Sequence, residues 1–309
     1  MNLAAFEAFV KVMETGSISL AADQLFITQP AVTKRIHSLE EYFGVKLFES
    51  AGRGVQATHA AHSLLPKVKN WLNELGDIHH TLSHEQGMVQ GKLKIGTSHH
   101  IGLHHLPSHL RSYVQSFPNV TLDVHFVDSE QAHEKVLAGD LELAFLTLPP
   151  KLDERLQYVT IWEDPLVFVA APFHPLAQMQ NLQLEDLIQY PSLLPASQTY
   201  TSQITLAEFE KQGLKPKITM SNNPLESIRM LASIVLGWSV LPKTMINQDL
   251  QQLNVKFEMN RQLGMVWHPG RTQSRAVQEL IAMMNYALQA LKNHPQGWFF
   301  ILRGRIKKH

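Results

Sequence analysis

The stretch LFITQPAVTKRIHSLEEYFG, Leu25 to Gly44, decides how the first part of the chain is read. Val32, Ile36, Leu39 and Phe43 fall at helical spacing and line one face with apolar side chains. The opposite face carries Gln29, Thr33, Lys34 and His37, with Arg35 and Ser38 at its flank. Thr28 is placed to cap this helix through its hydroxyl, and Pro30 fits a first turn that needs no N–H.

Upstream, Leu3, Phe6, Phe9, Val10 and Met13 repeat at helical spacing and stop at Gly16. A short helix from about Ser19 follows, in which Ala21 and Ala22 let another helix cross closely. Helix, short turn, helix predicts a helix-turn-helix. Downstream, VKLFESAGRGVQATHA reads as a hairpin with Arg53 between Gly52 and Gly54 at its tip, a wing that can reach a minor groove.

Ala61, Leu64, Val68, Trp71, Leu75, Ile78 and Leu82 then alternate spacings of three and four, the a/d pattern of a coiled-coil seam. The reading is a dimerising linker helix, weakened by Pro66 and Gly76. From Gly91 strands and helices alternate: KLKIG, a helix over about Leu106–Ser116, VTLDVHFV, a helix around Ala132–Ala138, and LELAFLTL. A second such set, from EDPLVFVAAP to WSVLP, is followed by LGMVWH and a long helix from about Ser274 to Leu291. Two α/β lobes, with the chain crossing between them near 163 and 265, leave a cleft.

The expected domains are therefore 1–58 (winged helix-turn-helix, all-α apart from its wing), 59–88 (linker and dimerisation helix) and 89–295 (two-lobed α/β effector domain). Lobe I takes about 89–163 and 266–295, lobe II about 164–265, and 296–309 is a basic C-terminal extension.

Composition narrows the function. The chain has 309 residues, 44% hydrophobic and 17% charged, with no net charge and no cysteine. These values exclude disorder, disulfides, Cys-based zinc sites and a protein that coats nucleic acid through bulk positive charge. In residues 1–58, Lys11, Lys34, Arg35, Lys46 and Arg53 are outnumbered by Glu7, Glu14, Asp23, Glu40, Glu41 and Glu49, so DNA binding must rest on placement of a few side chains. No signal peptide and no long apolar run is seen, which predicts a cytoplasmic protein without membrane contact. An enzyme would need a catalytic constellation, and GxSxG, HExxH, a phosphate-binding glycine loop and a cysteine nucleophile are all missing. A free-standing solute-binding protein would have no use for residues 1–88.

The assembled motifs FVKVMETGSISLAADQLFITQPAVTKRIHSLEEYFGVKLFES.GR, GKLKIG......LP..L, VLAGDLELAF, EDPLVFVAAPFHPLA and LGWSVLP resemble the LysR-type transcriptional regulators over almost the whole chain. The resemblance implies a winged helix-turn-helix, a linker-helix homodimer often paired into a homotetramer, and an effector domain like periplasmic solute-binding proteins. It further implies a double-stranded DNA operator, a small-molecule effector, RNA polymerase as partner if the protein activates, and no cofactor. Gln29, Pro30, Thr33, Lys34 and Arg35, entered through Thr28, fall on the family's recognition-helix contacts, and Arg53 on its wing arginine. Lys34-Arg35 replaces a commoner arginine–glutamine pair. In chemical terms Lys34 and Arg35 can neutralise phosphates or fork onto guanine, Gln29 can pair with adenine, and Thr33 can touch a thymine methyl or a phosphate.

For the effector, GTSHH at the carboxyl end of a strand offers Thr97, Ser98, His99 and His100. Thr147 ends another strand, ASQTYTSQ contributes Ser197, Thr199 and Thr201, and Asn222 and Asn223 follow a third. Hydroxyls, N–H groups and imidazoles suit a small polar or anionic ligand, and His100 near the usual histidine pKa of about 6.5 would hold an anion more strongly when protonated. His99, His100, His104, His105 and His109 form a cluster with i, i+4 pairs that can bring two imidazoles to one metal. No acid lies nearby in sequence as a third ligand, so no metal is expected.

Overall fold

In the computed structural model, which describes residues 2–51, 54–83 and 89–293, the chain divides into two compact units at His79/His80. The first begins with α1 (Leu3–Thr15), α2 (Ile18–Leu25) and α3 (Gln29–Phe43). Phe6, Phe9 and Val12 of α1 pack against Ala21 and Ala22 of α2 and Val32, Ile36 and Leu39 of α3. α1 stops where Gly16 turns to φ +64° and its N–H returns to the Val12 carbonyl at 2.9 Å.

Two details of the decisive stretch differ from expectation. Thr28 is the N-cap residue, yet its side chain makes no capping hydrogen bond. Pro30 has already removed one of the N–H groups a cap would serve. Phe43, last in the apolar stripe, is 39% exposed and packs edge-on against Tyr42.

The wing is an antiparallel hairpin, β1 (Phe48–Ala51) and β2 (Gly54–Ala57), whose tip at Gly52 and Arg53 lies outside the described residues. It docks on the end of α1: Val55 donates its N–H to the Gly16 carbonyl at 3.2 Å, and a Cβ on Gly54 would stand 2.9 Å from that same oxygen. Glu40 secures the other side, its carboxylate accepting the N–H groups of Leu47 and Phe48 at 2.8 and 3.3 Å.

α4 (His59–Ser83) carries the seven apolar positions expected to form a dimer seam. Its first part is used within the unit. Ala61 and Val68 are buried in the N-terminal core, Leu64 packs against it, and Trp71 meets Phe6 edge-on at 5.0 Å. A domain this small gains needed apolar burial by covering α1 with a fourth helix. Leu75 is half-buried, and the side chains of Ile78 and Leu82 lie outside the description.

The second unit holds β3 (Gly91–Thr97), α5 (His99–His104), α6 (Pro107–Ser116), β4 (Val120–Phe126), α7 (Ser129–Ala138), β5 (Leu143–Thr147) and the long β6 (Gln157–Ala170). Then come α8 (Leu184–Leu187), β7 (Pro191–Leu194), α9 (Tyr200–Lys211), β8 (Lys217–Ser221), α10 (Leu225–Ser233), β9 (Trp238–Pro242), β10 (Gln251–Gln252), β11 (Met259–Trp267) and α11 (Arg275–Asn293). The strands run β4-β3-β5-β11-β6-β9-β7-β8 through one continuous sheet, with β10 beside β6. Parallel β3, β4 and β5 build the first lobe and parallel β7, β8 and β9 the second, while antiparallel β6 and β11 pass through both.

The second crossing falls earlier in the chain than 265. Leu263 and Met265 pair with Thr147 and Phe145 and lie in the first lobe's core, whereas Met259 belongs to the second lobe's. The basic extension, 296–309, lies outside the described residues.

Candidate functional site

In the N-terminal unit, Thr28, Gln29 and Pro30 stand exposed at the start of α3, and Lys34 is exposed one turn later. Gln29 is oriented by Ser19, whose hydroxyl donates to its Oε1 at 3.1 Å, so α2 sets the angle of the first side chain on the face. Thr33 and Arg35 are half-buried: Thr33 Oγ1 donates to the Gln29 carbonyl at 3.1 Å, and Arg35 Nη1 lies 3.5 Å from the Ala4 carbonyl of α1. The face thus brings Thr28, Gln29, Pro30 and Lys34 fully outward, at a helix end whose dipole favours phosphate. Phe26, 95% exposed at φ +54° in the turn before α3, joins them. The alternation of apolar residues held no sign of it.

The second unit closes a small cleft between its lobes, with about 60 Å³ of space inside. Ser98, His99 and His100 reach it from the start of α5, Thr147 from the end of β5, and Thr199 and Thr201 from the start of α9. Thr97, Ser197 and Asn222 do not line it. Thr97 is fully buried and donates its hydroxyl to the Ser98 carbonyl, Ser197 faces solvent, and of the two adjacent asparagines it is Asn223, not Asn222, that lines the cleft. A shift of one residue after a strand turns the side chain to the other side.

Asn223 is one of two latches. Its Nδ2 donates to Asp128 Oδ2 at 2.6 Å, and the Tyr200 N–H at the start of α9 donates to the Glu130 carboxylate, so each bond ties lobe I to lobe II. Burial pushes the Glu130 carboxyl up, against the lowering effect of that N–H. Glu226 also lines the cleft, with Oε1 buried and without a hydrogen-bond partner among the described residues.

At the floor, Asp164 of β6 and Arg261 of β11 stand opposite each other in the ladder, 1% and 3% exposed. Arg261 Nε donates to Asp164 Oδ2 at 2.8 Å and Nη1 donates to Thr201 Oγ1 at 2.8 Å, joining the crossing strands to α9. Burial alone would raise the Asp164 carboxyl; its contacts with His100 and Arg261 outweigh that and hold it below the usual carboxylate range. Burial lowers the His100 pKa, against the raising effect of its contact with Asp164, which works against the protonated form that would hold an anion more strongly.

Among the polar residues of the cleft, Asp128, Ser129, Glu130, Glu226 and Arg261 were missed in the sequence, as was Asp164 at its floor. One signal was present for the pair at the floor. Arg261 falls in phase with buried Met259 and Leu263, and Asp164 with Leu166 and Phe168, so each strand points a charge of opposite sign into the core.

A winged helix-turn-helix joined to a two-lobed α/β domain that closes on a polar cleft defines a DNA-binding regulator with a ligand-binding domain. Residues 3–62 match the profile of the bacterial regulatory helix-turn-helix proteins of the lysR family, and residues 86–289 that of the LysR substrate binding domain. The chain belongs to the lysR family; it is a DNA-binding transcriptional regulator with an effector domain, not an enzyme. A probable RuBisCO transcriptional regulator of Synechocystis sp. is 28% identical, covering 93% of this chain and 85% of the relative. The HTH-type transcriptional activator CmpR of the same organism is 30% identical over 76% of this chain and 77% of its own. Full-length CbnR, solved with its target DNA, shares the fold at a TM-score of 0.67 and 19% identity, covering 93% of this chain and all (100%) of that one. Among the described residues no helix is long and apolar enough to cross a membrane.

Proposed function

We propose that this regulator, acting in the cytoplasm as a homodimer or homotetramer, reads an operator through Thr28, Gln29, Pro30, Thr33, Lys34, Arg35 and Arg53. A small polar or anionic effector in the interlobe cleft modulates that binding or, through RNA polymerase, activation. The observation that carries the effector class is the meeting of four helix starts, those of α5, α7, α9 and α10, at one cleft. The N–H groups and dipoles of helix starts favour negative charge. At the start of α9 the chain's own Glu130 supplies it, and an effector carboxylate would replace Glu130 at the Tyr200 N–H.

The test uses the full-length chain to select duplexes from a random library and then follows binding of the selected duplex by anisotropy. Small carboxylates, inorganic phosphate, amines and neutral sugars are added in turn. At least one carboxylate or phosphate is expected to shift operator affinity, and Glu130→Gln, which removes the competing charge, to lower the concentration needed. A response to amines alone overturns the effector class, and failure to select a common sequence overturns the recognition face.

A further inference from the structure

The geometry points to a divalent transition-metal site, of the kind zinc occupies, formed by His100, His105 and Asp164 beside the effector cleft. One ligand atom from each lies within 4.8 Å of the other two. His100 comes from α5, His105 from the residue that ends it, and Asp164 from β6, far along the chain, so the third ligand that the histidine cluster lacks locally is brought by the fold.

Two observations favour an ion over a packed histidine. His100 is 3% exposed, yet its Nδ1 has no hydrogen-bond partner among the described residues, and the same holds for the buried Nε2 of His105. Buried polar atoms left in this state are uncommon in folded proteins. Second, His100 Nε2 stands 3.5 Å from Asp164 Oδ2, close to the roughly 3.4 Å between ligands of a tetrahedral ion with bonds of about 2.0–2.2 Å.

The surroundings select among metals. Asp164 shares its charge with the buried Arg261, and His104 packs against His100 at 5.0 Å between ring centroids. Mg²⁺ or Ca²⁺, which depend on several carboxylate or carbonyl oxygens, gain little here. Two imidazoles and one carboxylate suit Zn²⁺, Ni²⁺ or Cu²⁺, whose bonds to nitrogen are strong. Trp162 lies against the His105 ring at 5.0 Å and shields that side.

The experiment titrates untagged, chelator-treated full-length chain with Zn²⁺ by calorimetry, and with Co²⁺ by visible absorption, which reports coordination directly. One tight equivalent is expected, weakened at least about tenfold by His105→Gln. His104→Gln, in the same cluster but exposed, and His268→Gln should leave it unchanged. Excess Zn²⁺ should also raise the melting temperature of the unmodified chain where Mg²⁺ does not. That measurement decides the matter even if His105→Gln folds poorly. Absence of both the tight equivalent and the melting shift, or equal binding by native and well-folded His105→Gln chains, overturns the site.

Discussion

Glu40 in the N-terminal unit and Asp164 in the effector unit are both buried carboxylates, 7% and 1% exposed, and they are held in different ways. Glu40 takes its partners from nearby in the chain: the N–H groups of Leu47 and Phe48 and the ammonium of Lys46, which is itself 66% exposed. Asp164 takes Arg261, whose guanidinium is as buried as the carboxylate and comes from 97 residues away. The first carboxylate pins a turn between a helix and its wing and leaves its cation in water. The second is half of a closed charge pair at the crossing of two lobes. Neutralising Glu40 strands nothing in the core; neutralising Asp164 strands an arginine.

The largest effect is therefore expected from Asp164→Asn. Removing one partner from a buried pair costs about 3–5 kcal/mol. Glu40→Gln keeps an oxygen for the Leu47 N–H and should cost about 1–2 kcal/mol. Urea unfolding, resolved by hydrogen exchange in each unit, measures both. The contrast collapses if Asp164→Asn is no worse than Glu40→Gln.

Acid should separate the two regions next. Burial brings His105 from 6.5 down to about 4 and lowers His100 as well. As pH falls from about 6.5 towards 4 the unfolded effector domain takes up protons that the folded one refuses, so its stability drops across that window. At Glu40 burial opposes ionisation, but Lys46 and the two N–H groups win and set the carboxyl below its usual 4.5. Its contribution is complete above 4.5 and lost only as pH falls through the lowered value. Hydrogen exchange at stepped pH should show the effector unit loosening first. His105→Gln should flatten the upper part of that loss, and simultaneous loosening of both units would remove the distinction.

The smallest difference concerns two threonine caps. Thr199 Oγ1 accepts the Ser202 N–H at 3.3 Å and donates to the Ala196 carbonyl at 2.8 Å, so Thr199→Ala should cost about 1 kcal/mol. Thr28 makes no capping bond, and Thr28→Ala should stay within about 0.5 kcal/mol. Equal losses in thermal melting would mean that the Thr28 hydroxyl caps α3 in solution.

These contrasts follow how far each contact reaches along the chain. The three N-terminal helices, the wing and the alternation of the effector lobes were legible because spacing, caps and glycines act over a few residues. So were the approximate positions of Ser98, His100, Thr147, Thr199 and Thr201, each at the end of a strand or the start of a helix where a cleft opens. The first turns of α5, α7 and α9 were harder to read, since polar residues that start a helix look like loop.

By itself the sequence determined the family, the order of elements and which face of α3 meets solvent, all consequences of local periodicity and of motifs long enough to be specific. Tertiary structure alone decided that Ala61 and Val68 serve the N-terminal core, that of Asn222 and Asn223 only the second lines the cleft, and that Asp164 meets both Arg261 and the histidines. The reason is physical. Which of two equally apolar faces is covered, which side of a strand a neighbour turns to, and which distant charge neutralises another depend on three-dimensional proximity, and no spacing rule along one strand or helix encodes a partner 97 residues away.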